Sequence, residues 1–239
     1  MWRSFGGINI SLINKRRLKE IQKRVSISAE TTNRSAQDIT IIAVTKTFPV
    51  AAMESAISAQ LNCLGESRVQ ETEEKIPSLQ NRELVEIHLI GHLQSNKVRK
   101  AIESYDVIQT VDSIKLAKKI STIANEIGKV QRIYLQVNSG NDPLKHGFST
   151  DEIINVALEI SQLHNLQVEG IMMIPPHLEM NEEYRSIYAR TKKIRDKIIS
   201  AGISSCKNLS MGMSRDFEMA IEEGATHIRI GTALFGARP

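Results

Sequence analysis

The sequence predicts an α/β fold, a single (β/α)8 TIM barrel preceded by one extra N-terminal helix. Short runs rich in β-branched residues alternate with amphipathic segments along the chain, which is the pattern of parallel βα units. Eight such runs occur within 239 residues, a length that suits one barrel. No linker rich in Pro, Gly or Ser interrupts the alternation. We therefore expect one barrel domain over residues 35–239 and a helical extension over residues 1–34 that packs on it.

The predicted strands are short apolar runs bounded by polar or turn-forming residues. The first reads Ile-Thr-Ile-Ile-Ala-Val, and the turn after it, residues 45–49, reads Thr-Lys-Thr-Phe-Pro. A doubly wound open sheet is the alternative fold, but its glycine-rich fingerprint is missing from that turn. The eight strands are expected at residues 39–44, 60–65, 86–90, 107–111, 131–137, 167–174, 208–211 and 226–230.

Amphipathic segments precede the first strand and separate each strand from the next. Ser113 is a good N-cap for the helix that starts beside it, and Gly128, Gly202 and Gly224 are suited to ending helices. These signals favour α-helices between the strands. The helices are expected at residues 12–30, 51–58, 68–78, 95–104, 113–126, 150–164, 181–201 and 214–223.

Composition excludes several classes of protein. Lys and Arg total 31 against 27 Asp and Glu, a net charge of +4, and the charges are interspersed, so no nucleic-acid partner is expected. Cys63 and Cys206 show no disulfide framework, which suits a reducing compartment. The N-terminal residues lack the apolar core of a signal peptide, and no stretch has the length of a membrane span. A soluble, cytoplasmic protein without a membrane partner is expected.

Lys46 directly follows the first predicted strand, where the strands of a barrel meet its active face. An amine among apolar neighbours loses hydration, its pKa falls, and it becomes a nucleophile able to form a Schiff base with an aldehyde. The alternative is that Lys46 only ends the strand, with its ammonium reaching solvent.

The loops after the seventh and eighth strands have the composition of a phosphate site. In barrels these two loops often hold a phosphate. Glycine lets the backbone approach an anion closely, and hydroxyl groups add donors. The alternative is that both are ordinary glycine turns. The candidate residues are Ser210, Met211, Ser214, Gly231 and Thr232.

Arg229 alternates with Ile228 and Ile230, so it points into the barrel if the isoleucines face the helices. A buried guanidinium needs an acceptor, and the pyridine nitrogen of a pyridoxal ring would be suitable. The alternative acceptor is a barrel carboxylate such as Glu66. Both interpretations can hold together.

His92 follows a glycine at the end of the third predicted strand. It is a candidate acid or base, and equally a hydrogen-bonded organiser of its loop. No metal site is predicted, because the histidines show no ligand spacing along the chain. They include His88, His92, His146 and His177.

Several motifs occur in one order: Lys46, Gly65-Glu66, Gly-His-Leu-Gln-Ser-Asn-Lys at 91–97, Ser-Met-Gly-Met-Ser at 210–214, and Arg-Ile-Gly-Thr at 229–232. In this order they resemble the pyridoxal phosphate homeostasis protein family, also called the YggS or PROSC family, over residues 35–239. The resemblance implies a barrel like the N-terminal domain of alanine racemase. Pyridoxal 5'-phosphate would be joined to Lys46, its ring nitrogen would meet Arg229, and its phosphate would lie among Ser210, Met211, Ser214, Gly231 and Thr232.

Ser67 departs from the family pattern, which usually has asparagine after Gly-Glu. The shorter side chain lacks the reach of the amide, so any ring contact from this position would differ. Ser67 and His92 complete the candidate contacts to the cofactor.

The resemblance implies a cofactor-binding protein that holds pyridoxal phosphate as a reversible Schiff base and buffers or delivers it, as a monomer or weak dimer. Apo forms of pyridoxal phosphate enzymes would be the recipients. We expect no turnover, because racemisation needs acid–base groups on both faces of the substrate and the second, β-rich domain of alanine racemase is not expected. The alternatives are a pyridoxal phosphate-dependent racemase or decarboxylase, with His92 or a tyrosine as second base, and a lysine aldolase acting on phosphosugars.

Overall fold

Eight parallel strands form a closed barrel in which each strand is hydrogen-bonded to the next in sequence and the eighth returns to the first. This computed structural model describes residues 13–176 and 178–237. The predicted (β/α)8 barrel is confirmed. The strands are β1 (Thr40–Val44), β2 (Cys63–Glu66), β3 (Glu86–Leu89), β4 (Val107–Val111), β5 (Gln131–Gln136), β6 (Leu166–Met172), β7 (Asn208–Met213) and β8 (His227–Ile230).

Helices surround the barrel and follow the strands in alternation. Within the described ranges, no helix combines the length and the apolarity needed to cross a membrane. Short 3-10 turns occur at Ala36–Asp38, Ile76–Ser78, Arg82–Leu84 and Ser95–Lys97. The α-helices are α1 (Lys15–Glu30), α2 (Val50–Ser58), α3 (Val69–Lys75), α4 (Val98–Ser104), α5 (Ile114–Ile127), α6 (Ile153–Ser161), α7 (Asn181–Ser200), α8 (Phe217–Glu222) and α9 (Thr232–Phe235).

The pairing of β1 with β8 closes the barrel and determines which loops meet. Thr40 is opposite His227 and Ala43 is opposite Ile230, with the two strands parallel. The chain after β1 and the chain after β8 therefore leave the barrel side by side. This register places Lys46 next to the Gly231 turn.

The interior of the barrel is more polar than is usual for this fold, in which branched apolar side chains fill the layers. His88 on β3, Gln109 on β4, Ser210 on β7 and Arg229 on β8 are all buried. The main apolar core lies instead between the outer face of the barrel and the helices, where residues such as Ile108 are fully buried.

Some element boundaries differ from the predicted ones for local reasons. β2 begins at Cys63 rather than at residue 60, because Gln60 has a φ of 63°, a left-handed conformation that cannot continue a strand. α8 begins at Phe217 rather than at residue 214, because Asp216 closes a turn with Met213. The Met213 N–H donates to the Asp216 carboxylate at 2.5 Å, and the Asp216 N–H donates back to the Met213 carbonyl at 3.1 Å.

The first helix packs on the barrel through α8. Arg24 forms a two-pronged ion pair with Glu218, at 2.8 and 2.6 Å, and lies over the Phe217 ring at 4.6 Å. The helix starts at Lys15 after an Asn14 cap, later than predicted, and residue 12 of the predicted helix lies outside the described residues. The division of the chain at residue 34 stays a prediction.

Gly170 on β6 is required by the close approach of β7. A Cβ built there would lie 2.5 Å from the Asn208 carbonyl oxygen, which is strand backbone and cannot move aside. We expect Gly170→Ala to lower the free energy of unfolding by about 1–3 kcal/mol, the usual cost of overpacking. Urea denaturation followed by circular dichroism measures it.

Gly128→Ala is the contrasting variant. Nothing lies within 4 Å of a Cβ at Gly128, so only the left-handed backbone, with a φ of 72°, should cost stability, about 1 kcal/mol. If Gly170→Ala were no more costly than Gly128→Ala, the close contact between β6 and β7 would not be limiting.

Candidate functional site

A cavity of about 630 Å³ opens at the carboxyl ends of the strands. The loops after β1, β3, β5, β6, β7 and β8 all contribute to its wall, which is the usual position of the active site in a barrel. A larger concavity of about 820 Å³ lies at the opposite end, against residues that begin strands, such as Thr40 and Glu86. We place the site in the smaller cavity, because its lining includes Lys46, Lys145, Ser214, Arg229, Gly231 and Thr232.

Lys46 is half-buried and lines this cavity directly after β1. The following residue, Thr47, has a φ of 68°, which is uncommon for a β-branched residue. Its N–H donates to Glu71 Oε1 at 2.5 Å, and that bond holds the unusual backbone in place. The turn that presents Lys46 is therefore fixed from its C-terminal side.

A buried ion-pair cluster fixes the same turn from its N-terminal side. Lys75 Nζ donates to the Thr45 carbonyl at 3.1 Å, to Glu66 Oε1 at 3.0 Å and to Glu71 Oε1 at 2.6 Å. The Thr45 hydroxyl donates to Glu66 Oε1 at 2.6 Å. Burial raises the pKa of Glu66, and the Lys75 charge opposes that rise. Lys75 thus links α3 to the residue before Lys46.

The sequence reasoning did not identify Lys75 or Glu71 as site residues. Their signal was present but weak: an acid and a base four residues apart on one helix, which more often stabilise only the helix surface. What distinguishes this pair is Glu66, fully buried at the end of β2 and in contact with Lys75. The helix spacing alone does not reveal that third partner.

Arg229 points into the barrel, as predicted, and also lines the cavity. It donates to the Ser210 carbonyl and to the Ser210 hydroxyl, each at 2.8 Å, and to the Met173 carbonyl at 2.7 Å. Glu66, its alternative partner, is engaged by Lys75 instead. Burial lowers the pKa of Arg229 to about 10, so the guanidinium stays charged at neutral pH. The described residues occupy three of its five N–H donors.

A chain of hydrogen bonds continues from Arg229 through the interior. The Ser210 hydroxyl donates to Gln109 Oε1 at 2.7 Å, so the Gln109 amide group is left to donate to His88 Nδ1, also at 2.7 Å. His88 then carries its proton on Nε2, which faces Glu86 Oε2 at 3.3 Å. Every donor in this chain points the same way, from the cavity towards the amino ends of the strands.

Three of the residues predicted to bind a phosphate line the cavity together: Ser214, Gly231 and Thr232. The Thr232 hydroxyl is 3.4 Å from the Ser214 hydroxyl, which also lies 3.5 Å from the Ala233 N–H. Gly231 adds backbone without a side chain beside these two hydroxyls. Two hydroxyls and this accessible backbone form a polar pocket suited to an anion.

The other predicted contacts lie elsewhere. The Ser210 side chain is in the barrel interior, bonded to Arg229 and Gln109, and Met211 is buried in the apolar core. Ser67 and His92 line a separate depression of about 490 Å³. The predicted contacts of these four residues with a cofactor stay predictions.

The family model for the N-terminal domain of alanine racemase matches residues 17–239. The pyridoxal phosphate homeostasis protein of Aquifex aeolicus is 35% identical over 222 residues, which cover 93% of this chain and 97% of that protein. The chain belongs to the pyridoxal phosphate homeostasis protein family. A Synechocystis protein of the same name is 37% identical, with 84% of this chain and 92% of that protein covered.

Solved structures of family members agree with the barrel. PipY of Synechococcus elongatus, solved without PLP, has a TM-score of 0.83 at 35% identity, with 95% of this chain and all of that chain covered. The same protein with PLP bound gives a TM-score of 0.78, covering 90% of this chain. Alanine racemase of Clostridium difficile, at 21% identity and a TM-score of 0.72, shares the fold, and 58% of its length is covered.

Removing the Lys75 ammonium should leave the Glu66 carboxylate buried and unpaired. We expect Lys75→Met to lower the free energy of unfolding at neutral pH by about 3–5 kcal/mol, as for other broken buried pairs. The double variant Lys75→Met, Glu66→Gln should recover much of the loss, because it removes the charge as well. Urea denaturation of both variants tests this, and a loss in the single variant that the second substitution leaves unchanged would contradict it.

Proposed function

We propose that this protein binds pyridoxal 5'-phosphate through a reversible covalent link to Lys46 and buffers or delivers it within the cell. The observation that carries the proposal is one cavity that unites an amine, a guanidinium and a hydroxyl-lined anion pocket, from Lys46, Arg229, Ser214 and Thr232. The names of the relatives and the PLP-bound structure of PipY support it.

The residues present suit the phosphate, the ring nitrogen and the aldehyde of this cofactor. The Ser214 and Thr232 hydroxyls, beside the close turn at Gly231, would receive the phosphate. Arg229 retains donors for a ring nitrogen, and Val44 and Ile90 supply apolar wall for a flat ring. The cofactor would bring an aldehyde that bonds reversibly to amines and a ring that can accept electrons. Lys46 is the amine that the turn after β1 delivers to the same cavity.

The residues around the cavity favour holding the cofactor over turning substrates over. Arg229 keeps its protons at neutral pH, so it cannot supply one to a ring nitrogen, and the ring would be a weak electron sink. Tyr184 is the tyrosine in the lining, and Leu178 engages its hydroxyl: the Leu178 N–H donates to it at 3.1 Å and it donates to the Leu178 carbonyl at 3.4 Å. It is therefore not oriented as a second base.

The relatives are named for homeostasis rather than for a reaction, which agrees with a role as carrier. We propose that the recipients are apo forms of pyridoxal phosphate enzymes, and that the protein acts in the cytoplasm as a monomer or weak dimer. Transfer would require the link at Lys46 to open when a recipient offers a better site.

Lys46→Ala should abolish covalent capture of the cofactor. We expect the wild-type protein, incubated with pyridoxal phosphate, to show a visible absorption band that bleaches with borohydride and leaves a pyridoxyl group on Lys46. Peptide mass mapping locates the adduct. Lys207→Ala, at an exposed lysine before β7, is the matched control and should behave as the wild type.

Three results, from this experiment or from assays of the same two proteins, would contradict the proposal. One is an adduct that survives in Lys46→Ala. Another is steady racemisation or decarboxylation of a panel of amino acids that depends on Lys46, which would favour an enzyme. The third is borohydride trapping that needs a sugar phosphate and occurs without pyridoxal phosphate, which would favour an aldolase.

Arg229→Ala should change the visible spectrum of the bound cofactor and weaken its binding, because the ring loses its charged neighbour. Unfolding should stay cooperative, because Arg229 itself lines the open cavity and its removal would let water reach the acceptors that it leaves. Absorption spectra and urea denaturation measure the two effects. An unchanged spectrum would contradict the proposed contact between Arg229 and the ring of the cofactor.

A further inference from the structure

Three side chains that the proposed function does not use meet above the carboxyl ends of β3, β4 and β5. His92 Nδ1 lies 3.2 Å from Asp112 Oδ2, and His146 Nδ1 lies 3.7 Å from the same oxygen. One ligand atom from each of the three residues can be chosen so that all lie within 4.8 Å of one another. The two imidazole rings are stacked, with centroids 4.3 Å apart and planes 18° from parallel.

Hydrogen bonding accounts for only one of the two contacts, the one between His92 and Asp112. The 3.2 Å separation between His92 and Asp112 is at the long end for a hydrogen bond, and the 3.7 Å separation for His146 is beyond it. Both imidazoles nevertheless converge on the same carboxylate oxygen. Ligands of a common metal show such spacing, because two atoms bonded at about 2.1 Å with tetrahedral angles lie about 3.4 Å apart.

The backbone around the cluster holds these ligands before any ion binds. The Gln136 amide donates to the His146 carbonyl at 3.0 Å, and the Thr110 hydroxyl donates to the Gly91 carbonyl, next to His92, at 2.7 Å. Gly147 has a φ of 126°, and a Cβ there would lie 2.8 Å from the Asn138 nitrogen. The segment after β5 is thus confined at the His146 carbonyl and at the residue that follows it.

Exposure differs among the three groups in a way that suits a site with an open position. The Asp112 side chain is 11% exposed, which orients its carboxylate, whereas His92 and His146 are 46% and 63% exposed. An ion can therefore reach the cluster from solvent and keep water as a further ligand. Because the histidines are at the surface, their rings can also turn to shorten the remaining separations.

We propose that His92, Asp112 and His146 form a binding site for a divalent transition-metal ion, with Zn²⁺ as the best match. Two imidazole nitrogens and one carboxylate oxygen are donors that zinc accepts, with water completing the coordination. The site does not depend on cofactor binding at Lys46. It lies close to that cavity along the chain, since Lys145, the residue before His146, lines the cavity wall.

Metal titration of the untagged full-length protein tests the site. The metal-free protein is titrated with Co²⁺, followed by its visible bands, and Zn²⁺ binding is then measured by displacement and by equilibrium dialysis. We expect one equivalent of either ion to bind. His146→Ala and Asp112→Asn should each weaken binding by more than about tenfold, because loss of a ligand costs at least as much as loss of a supporting contact.

His164→Ala is the matched control, since His164 is exposed and lies outside the cluster. It should bind as the wild type does, and Zn²⁺ should raise the Tm of both but not that of His146→Ala. The measurements are made with and without pyridoxal phosphate, because that compound itself binds divalent ions. Wild-type binding no tighter than that of His146→Ala would overturn the proposal, as would equal loss in His164→Ala.

Discussion

The burial of one charged guanidinium, that of Arg229, constrains much of the barrel interior. A buried charge is tolerated only where its donors find acceptors, and here two backbone carbonyls and the Ser210 hydroxyl supply them. The Ser210 hydroxyl must then donate its own hydrogen bond to Gln109, and Gln109 must donate to His88. The polar interior is thus a consequence of placing a cation under the cavity. A branched apolar side chain in place of Ser210 would remove one of the three acceptors of Arg229.

The turn that presents Lys46, at the end of the barrel, is likewise constrained by charged side chains. A β-branched residue, Thr47, is held in a left-handed conformation by a bond from its N–H to Glu71. Lys75 binds the preceding carbonyl and both nearby carboxylates. Strain of this kind persists only where the surroundings fix it, and here it directs one lysine into the cavity. The positioning of Lys46 therefore belongs to α3 as much as to β1.

The shared fold with alanine racemase is not by itself evidence for the same reaction. Racemisation needs groups on both faces of a substrate and a ring that accepts electrons. The arginine in this cavity does not give up its proton, and Tyr184 is bound to the backbone at Leu178. Under the proposed function, the fold would supply a place for a phosphate and an amine, and the surrounding side chains would favour retention of the cofactor. Function here follows from the site rather than from the barrel.

The barrel could be predicted from the sequence alone, because eight β-branched runs alternating with amphipathic segments leave few other topologies. The sequence also determined which residues follow β1 and β8, and the register between those strands then brings Lys46 and Gly231 together. The inward orientation of Ser210 and the meeting of His92 with Asp112 and His146 depend on how the closed barrel arranges its loops. Those contacts join residues far apart along the chain, and no local periodicity records which loops the closed barrel brings together.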